Sequence, residues 1–294
     1  MPRLRSRRRR SRRAGRPARY PDLKIGITTA NLLNFLPVNL GNAKKYVDFA
    51  AEHGFSYMEL RDPVATLTLA ECKEVAAYAR QHGIEVSYAV NVGVLDPHFS
   101  EVFARAVANA AVFDGPRTIR TAGPGIEFAG DPKKTAWTYA EFTKVVETAN
   151  QAANLAKMLG LSYVIENAAE VLKGDGMTSF GTVELFASAN GNLGFQLDTA
   201  NFFSASRIPA KPEAAGDFVR KIAPRMGYMH LKTATKNNKQ SPVLGDNALL
   251  FEIVFWEAVK HKKPYVAIEL FAPENMDQVG VNHKKSIQYL MENY

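Results

Sequence analysis

From Leu23 to the end of the chain, short runs rich in β-branched and aromatic residues alternate with longer amphipathic segments. Eight runs read as strands: 23–28, 55–60, 84–90, 117–121, 161–166, 193–198, 226–231 and 265–270. Their centres stand 29 to 45 residues apart, the length of one strand, one helix and two loops. Between them, apolar residues recur at helical spacing over 43–53, 69–82, 139–159 and 247–261. Three of these segments stop at a glycine just before a strand (Gly54, Gly83 and Gly160), which is how a helix hands over to a short αβ loop.

Eight successive βα units with no Gly- or Pro-rich linker between them predict a single α/β domain over 22–294, a closed (β/α)8 TIM barrel. The alternative is an open doubly wound sheet. Such a sheet usually carries a glycine-rich turn after its first strand, and GITTANLLN has only Gly26 there.

Charge refines this picture. The 294 residues hold 37 basic and 29 acidic side chains, a formal net charge of +8. Ten of the basic residues are arginines within 1–20, where there is no acid. The remainder carries 27 basic against 29 acidic residues, a net of −2, so the barrel has no excess positive charge for a run of phosphates. The segment 1–21 is expected to be a disordered, self-repelling tail. Its arginines have no apolar stretch after them, so an export signal is not expected and the protein is placed in the cytoplasm. No segment approaches the ~18 uninterrupted apolar residues of a membrane span. Cys72 is the only cysteine, which rules out an intrachain disulfide and a cysteine-rich zinc site.

In a barrel of this kind reactive groups belong at the C-terminal ends of the strands. The last four strands end SYVIE, GFQLD, GYMH and YVAIE, placing Glu166, Asp198, His230 and Glu269 at spacings of 32, 32 and 39 residues. Three carboxylates and one imidazole from successive strands would converge on one quadrant of the barrel mouth. Like charges at that range repel, and a divalent cation is the simplest way to offset them. The donor set suits one Mn²⁺, Mg²⁺ or Co²⁺ ion, with Zn²⁺ and Fe²⁺ also compatible.

The strand ends IEN, LDTAN, MHLK and IEL resemble those of the xylose isomerase-like barrels, specifically the sugar phosphate isomerase/epimerase family. The resemblance spans roughly 22–294, although only these short motifs are specific. It implies that Glu166, Asp198, His230 and Glu269 are metal ligands. It also implies that Glu166 and Glu269 act as acid and base on opposite faces of a sugar carbon next to a carbonyl, through an enediolate. A lyase or dehydratase on the same metal site is the alternative within this scaffold. An endonuclease IV-like phosphodiesterase and a noncatalytic sugar-binding barrel are the other classes. The family's substrate-binding histidine is replaced by Asn201, and its usual arginine after the ligand histidine by Lys236. Glu170 is the nearest counterpart of a second family glutamate. The family also forms dimers or tetramers, so a homo-oligomer is compatible with the resemblance; no specific nucleic-acid or membrane partner is expected.

Other positions at the expected mouth are His98, Asn91 and Glu59, each a candidate for substrate contact, with Arg61 and Tyr88 nearby. Glu59, Arg61, Tyr88 and Asn91 fit either sugar hydroxyls or the layers inside the barrel. Phe202, Phe203 and Trp137 read as apolar walls, 232–239 as a solvated polar loop, and Asp246 as a helix N-cap. His53 and His82 read as helix-end residues beside glycine, and His261 and His283 as helix residues without a ligand partner.

Overall fold

The β-branched and aromatic runs form eight strands: β1 (Lys24–Thr28), β2 (Tyr57–Arg61), β3 (Glu85–Ala89), β4 (Thr118–Thr121), β5 (Ser162–Glu166), β6 (Leu193–Asp198), β7 (Met226–Leu231) and β8 (Tyr265–Ile268). All pair in parallel in chain order, and β1 pairs with β8, closing the barrel. The computed structural model describes residue 20 and residues 22–122, 139–166, 189–201, 212–233, 241–245, 251–270 and 274–294. Trp137, Glu170, Phe202, Phe203, Lys236 and Asp246 lie outside them.

Seven α-helices are described: α1 (Leu40–Glu52), α2 (Leu69–Gln81), α3 (Phe99–Ala110), α4 (Tyr139–Met158), α5 (Pro212–Ile222), α6 (Phe251–Lys260) and α7 (Met276–Asn293). Each forms because an apolar stripe can be buried on the outside of the sheet. In α1 the stripe is Ala43, Tyr46, Val47, Phe49 and Ala50, and in α3 it includes Phe99, Val102, Phe103, Ala106 and Val107. Burying each large apolar side chain is worth about 1.5–3 kcal/mol. The helix ends are chemically marked. Asn39 caps α1 through Asn42 N, Thr68 and Glu71 form a reciprocal capping box on α2, and Asn275 caps α7 through Gln278 N. Such a cap contributes about 1 kcal/mol. The Asn39 cap starts α1 three residues before the apolar periodicity does, because residues 40–42 lie outside the buried stripe.

Gly54, Gly83 and Gly160 end their helices with φ of +74°, +69° and +69°, where a Cβ would be strained. The corresponding position after α6 is Lys262, at φ +55°. His53 and His82 occupy the C-caps, each with Nδ1 on the carbonyl oxygen four residues earlier. Gly26 is needed for close approach: a Cβ there would lie 2.1 Å from the Tyr57 carbonyl oxygen of the neighbouring strand.

The main core lies between sheet and helices, and Tyr88 and Cys72 belong to it. A second, separate cluster of Tyr57, Val164, Tyr228 and Ala267 plugs the barrel interior. Below it, toward the N-terminal ends of the strands, Lys24 pairs with Glu85, which also accepts from the Tyr265 hydroxyl. Above it the interior turns strongly polar. Tyr20, assigned by composition to the tail, is half-buried with its ring 5.5 Å from Phe255. Among the described residues no helix is long and apolar enough to cross a membrane.

Candidate functional site

Glu166 ends β5, Asp198 ends β6, His230 stands near the end of β7, and Glu269 follows β8 with its backbone N–H still bonded to Leu231 O. Strand register brings them together, since Asp198 pairs with His230 and His230 with Ala267. One ligand-capable atom from each lies within 4.8 Å of the others. His230 Nδ1 is 2.7 Å from Glu269 Oε2, 3.4 Å from Glu166 Oε1 and 3.9 Å from Asp198 Oδ2. The Asp198 carboxylate is aimed by its own turn: Oδ1 accepts from the backbone N–H groups of Ala200 and Asn201, each at 2.8 Å. Thr199 Oγ1 ties the two strand ends by bonding both the N–H and the carbonyl of Lys232.

Glu59 lies beneath this group, fully buried. Its Oε1 accepts from Thr28 Oγ1 (2.7 Å) and from Arg61 Nε and Nη2 (3.1 and 2.8 Å). Its Oε2 accepts from the Tyr228 hydroxyl and faces His230 Nε2 at 2.7 Å. Burial would raise the Glu59 pKa, but the charges of His230 and Arg61 outweigh it and hold the carboxyl well below its usual range. Of the two roles the sequence left open for Glu59, sugar hydroxyls or the layers inside the barrel, the structure favours the second by surrounding it with protein donors.

Three cations complete the site. Arg120, fully buried, pairs with Glu166 Oε2 and donates from Nη1 to Val90 O and Asn91 Oδ1 (3.1 and 2.9 Å). Burial, with Arg61 nearby, pushes its guanidinium down to about 10. Lys232 Nζ lies 3.0 Å from Glu269 Oε1 and 3.6 Å from Asp198 Oδ2. Burial would lower the Lys232 pKa, but Asp198 and Glu269 raise it above the usual value. Arg61 Nη2 reaches Glu269 Oε2 at 3.7 Å. Glu269 is held well below the usual carboxylate range, with Lys232, Arg61 and His230 overcoming its burial.

These cations correct the electrostatic part of the sequence reading. Carboxylate repulsion is already offset in part by Arg61, Arg120 and Lys232, so repulsion alone does not require a metal. The sharper indication is local. Glu59 is an acceptor at His230 Nε2, which places a proton there and leaves a lone pair on Nδ1. That lone pair meets a second acceptor, Glu269 Oε2, and neither atom has a hydrogen-bond partner among the described residues. Two facing acceptors at 2.7 Å call for a cation between them, a proton or a metal ion. In keeping with this, the His230 pKa is raised: Glu59 and Glu269 outweigh the lowering effect of burial.

Of the remaining candidates, Asn201 is half-buried with Nδ2 at 3.5 Å from Glu166 Oε1, the outer limit of a hydrogen bond. Asn91 is exposed beside Arg120. His98 is exposed at the start of α3, its N–H held by Asp96 Oδ1. Tyr88 faces the helix layer, donating to Asp62 Oδ2 and accepting from Asn109. Sequence reasoning missed Arg120, Lys232 and Tyr228. Lys232 and Thr233, read as part of a solvated loop, are buried. Two-residue strand alternation continued past His230 would have turned Lys232 inward.

A family model described as "Xylose isomerase-like TIM barrel" matches residues 47–292. Among solved structures, a D-psicose 3-epimerase from Clostridium cellulolyticum H10, with D-tagatose, superposes with a TM-score of 0.61. It is 17% identical, over 92% of this chain and 94% of that one. A xylose isomerase-like TIM barrel protein from Mycobacterium smegmatis, in complex with magnesium, gives 0.67 at 15% identity, over 92% and 97%. A 3-keto-D-glucoside 4-epimerase from E. coli gives 0.64 at 15% identity, over 91% and 98%. At such identities the likeness establishes the fold. No curated protein matches the chain by sequence.

Proposed function

The chain belongs to the xylose isomerase-like TIM barrel family, and on that premise we propose that it is a divalent-metal-dependent isomerase or epimerase of a small sugar or polyol. The observation that carries this reading is the meeting of Glu166, Asp198, His230 and Glu269 at the barrel mouth, with His230 Nδ1 facing Glu269 Oε2. The resemblance to sugar epimerases of the same fold supports it. These four residues would hold the ion, and Mn²⁺ is the ion proposed for three carboxylates and one imidazole. Bound there, it would supply Lewis-acid polarisation of a carbonyl, lowering the cost of removing a neighbouring proton.

The chain's own groups carry the rest. Arg120 holds Glu166 Oε2 and Lys232 holds Glu269 Oε1, so each glutamate keeps its other oxygen toward the cluster. Both are held by cations that favour the ionised form, the state in which a carboxylate can take a proton. One glutamate, ionised, takes the proton from the carbon beside the carbonyl, and the other, having first taken up a proton from solvent, delivers that proton to the opposite face, so the two exchange protonation states over a turnover. The intermediate enediolate develops charge beside Arg61 and Lys232, groups already fixed by ion pairs and so requiring little rearrangement. Glu59 serves to orient His230, while Asn201, Asn91 and His98 are the side chains proposed for sugar hydroxyls. Lys236 is proposed for the same role on sequence grounds alone.

The test is turnover of a keto-sugar panel with Mn²⁺, with products identified to separate isomerisation from loss of water. Glu166→Gln and Glu269→Gln should each reduce turnover by about 10²–10⁴-fold. Activity near that of the parent in either variant, with metal retained, contradicts the assignment.

A further inference from the structure

We propose that Arg61 receives a carboxylate of the substrate, so that the sugar or polyol acted on is a sugar acid. This rests on the metal-dependent reading of the site given above and narrows its substrate class. Arg61 ends β2, two residues after Glu59, and so lies on the same face of the strand one step nearer the barrel mouth. It is more than nine-tenths buried, and its backbone N–H is held by Thr29 Oγ1 at 2.9 Å.

A guanidinium has two edges that can grip a carboxylate. The side edge, Nε and Nη2, is spent on Glu59 Oε1 at 3.1 and 2.8 Å. The end edge consists of Nη1 and the second N–H of Nη2. Nη2 lies 3.7 Å from Glu269 Oε2, too far for a hydrogen bond, and Nη1 makes no hydrogen bond among the described residues. Glu269 Oε2 is also 2.7 Å from His230 Nδ1, so the Nη2 corner of this edge adjoins the atoms that would hold the ion.

The scaffold fixes this edge in advance. Glu59 is itself held by Thr28, Tyr228 and His230, so the guanidinium cannot swing away without leaving a buried carboxylate short of its cation. A fixed, charged and unspent pair of N–H groups matches a planar anion with two oxygens. A sugar hydroxyl offers one oxygen and no charge. A phosphate ester brings a third oxygen and a second negative charge beside Glu269 Oε2, where a carboxylate brings one. Arg120 and Lys232 are engaged with Glu166 and with Glu269 and Asp198. With the carboxylate on Arg61, Lys232 stands beside the charge that develops during proton transfer.

Calorimetric titration of the full chain loaded with Mn²⁺ tests this with D-gluconate and D-glucitol, polyols that differ only by a carboxylate in place of one terminal CH₂OH. The parent should bind gluconate about tenfold more tightly or better, and Arg61→Gln should lose most of that preference. The preference is a ratio within one protein, so a change in Mn²⁺ affinity cancels, and the direct pull of the ion on the carboxylate is common to parent and variant. Should Arg61→Gln fail to fold, Arg61→Lys, which keeps a charge beside Glu59 without the fork, carries the same comparison, with the preference falling about threefold or more. Equal affinities in the Mn²⁺-bound parent, an undiminished preference in the variant, or tighter binding of D-glucitol 6-phosphate than of gluconate overturns the proposal and leaves the metal site standing. A parent that takes up no Mn²⁺ overturns the underlying reading, and the proposal with it.

Discussion

Replacing Glu59 by glutamine changes one oxygen for an NH₂ group, yet it should weaken divalent-metal binding at a site it does not touch. Glu59 Oε1 receives Thr28 and two N–H groups of Arg61, while Oε2 receives Tyr228 and faces His230 Nε2 at 2.7 Å. Glutamine has a single acceptor oxygen. Arg61 can only donate, so the amide oxygen must turn toward it and the NH₂ toward Tyr228 and His230. The Tyr228 hydroxyl can rotate to accept. His230 can accept only by moving its ring proton from Nε2 to Nδ1, which then points at Glu269 Oε2, 2.7 Å away. The lone pair needed for a metal is lost unless this arrangement is broken. Outer groups of this kind govern metal affinity by about 10- to 100-fold, or ~1.4–2.8 kcal/mol. Calorimetric titration with Mn²⁺ reads the effect directly. Thr28→Val, which removes one donor to Oε1 and leaves the His230 side alone, should bind the ion like the parent. Equal affinities for Glu59→Gln and the parent would refute the role of Glu59 in setting the His230 tautomer.

Two further predictions concern the scaffold. His283 is buried in α7 with Nδ1 on Val279 O, and burial, with His53 nearby, pushes its pKa from 6.5 down to about 4. The unfolded chain binds this proton at higher pH than the folded one, so the contribution is present above pH ~6.5 and is lost as the pH falls toward 4. It amounts to about 3 kcal/mol across that window. Urea denaturation at successive pH values should show the slope in the parent and a shallower one in His283→Gln; equal slopes would contradict it. Separately, Gly26→Ala would force a Cβ to within 2.1 Å of Tyr57 O and should cost about 3 kcal/mol or more, read as a fall in Tm. An unchanged Tm would show that β1 and β2 can part there without cost.

What was legible in the sequence follows from what repeats. Glu166, Asp198, His230 and Glu269 stand out because each ends a β-branched run at βα spacing, and closure of the barrel brings those ends together. Gly54, Gly83 and Gly160 were equally visible, since a left-handed C-terminus favours glycine. Arg120 was not, because a lone arginine in a four-residue strand carries no sign of facing inward. Lys232 was misread because polarity beyond a strand end suggests solvent, whereas continued alternation points the side chain at Asp198 and Glu269. Glu59 was placed at the correct strand, but the choice between sugar and barrel interior stayed open because its neighbours could not be named. Its four partner side chains come from β1, β2 and β7, and only closure of the barrel brings β7 across from β2. Lys262 adopts a glycine-like backbone with no compositional mark.

The central claim is that Glu166, Asp198, His230 and Glu269 form a site for one divalent ion. Mn²⁺ titration of the purified chain, followed by calorimetry and by Tm, tests it most directly. The expected result is one ion per chain with a raised Tm, both abolished in Asp198→Asn/His230→Gln. A parent protein that neither binds Mn²⁺, Mg²⁺ or Co²⁺ nor gains stability from them would contradict the account.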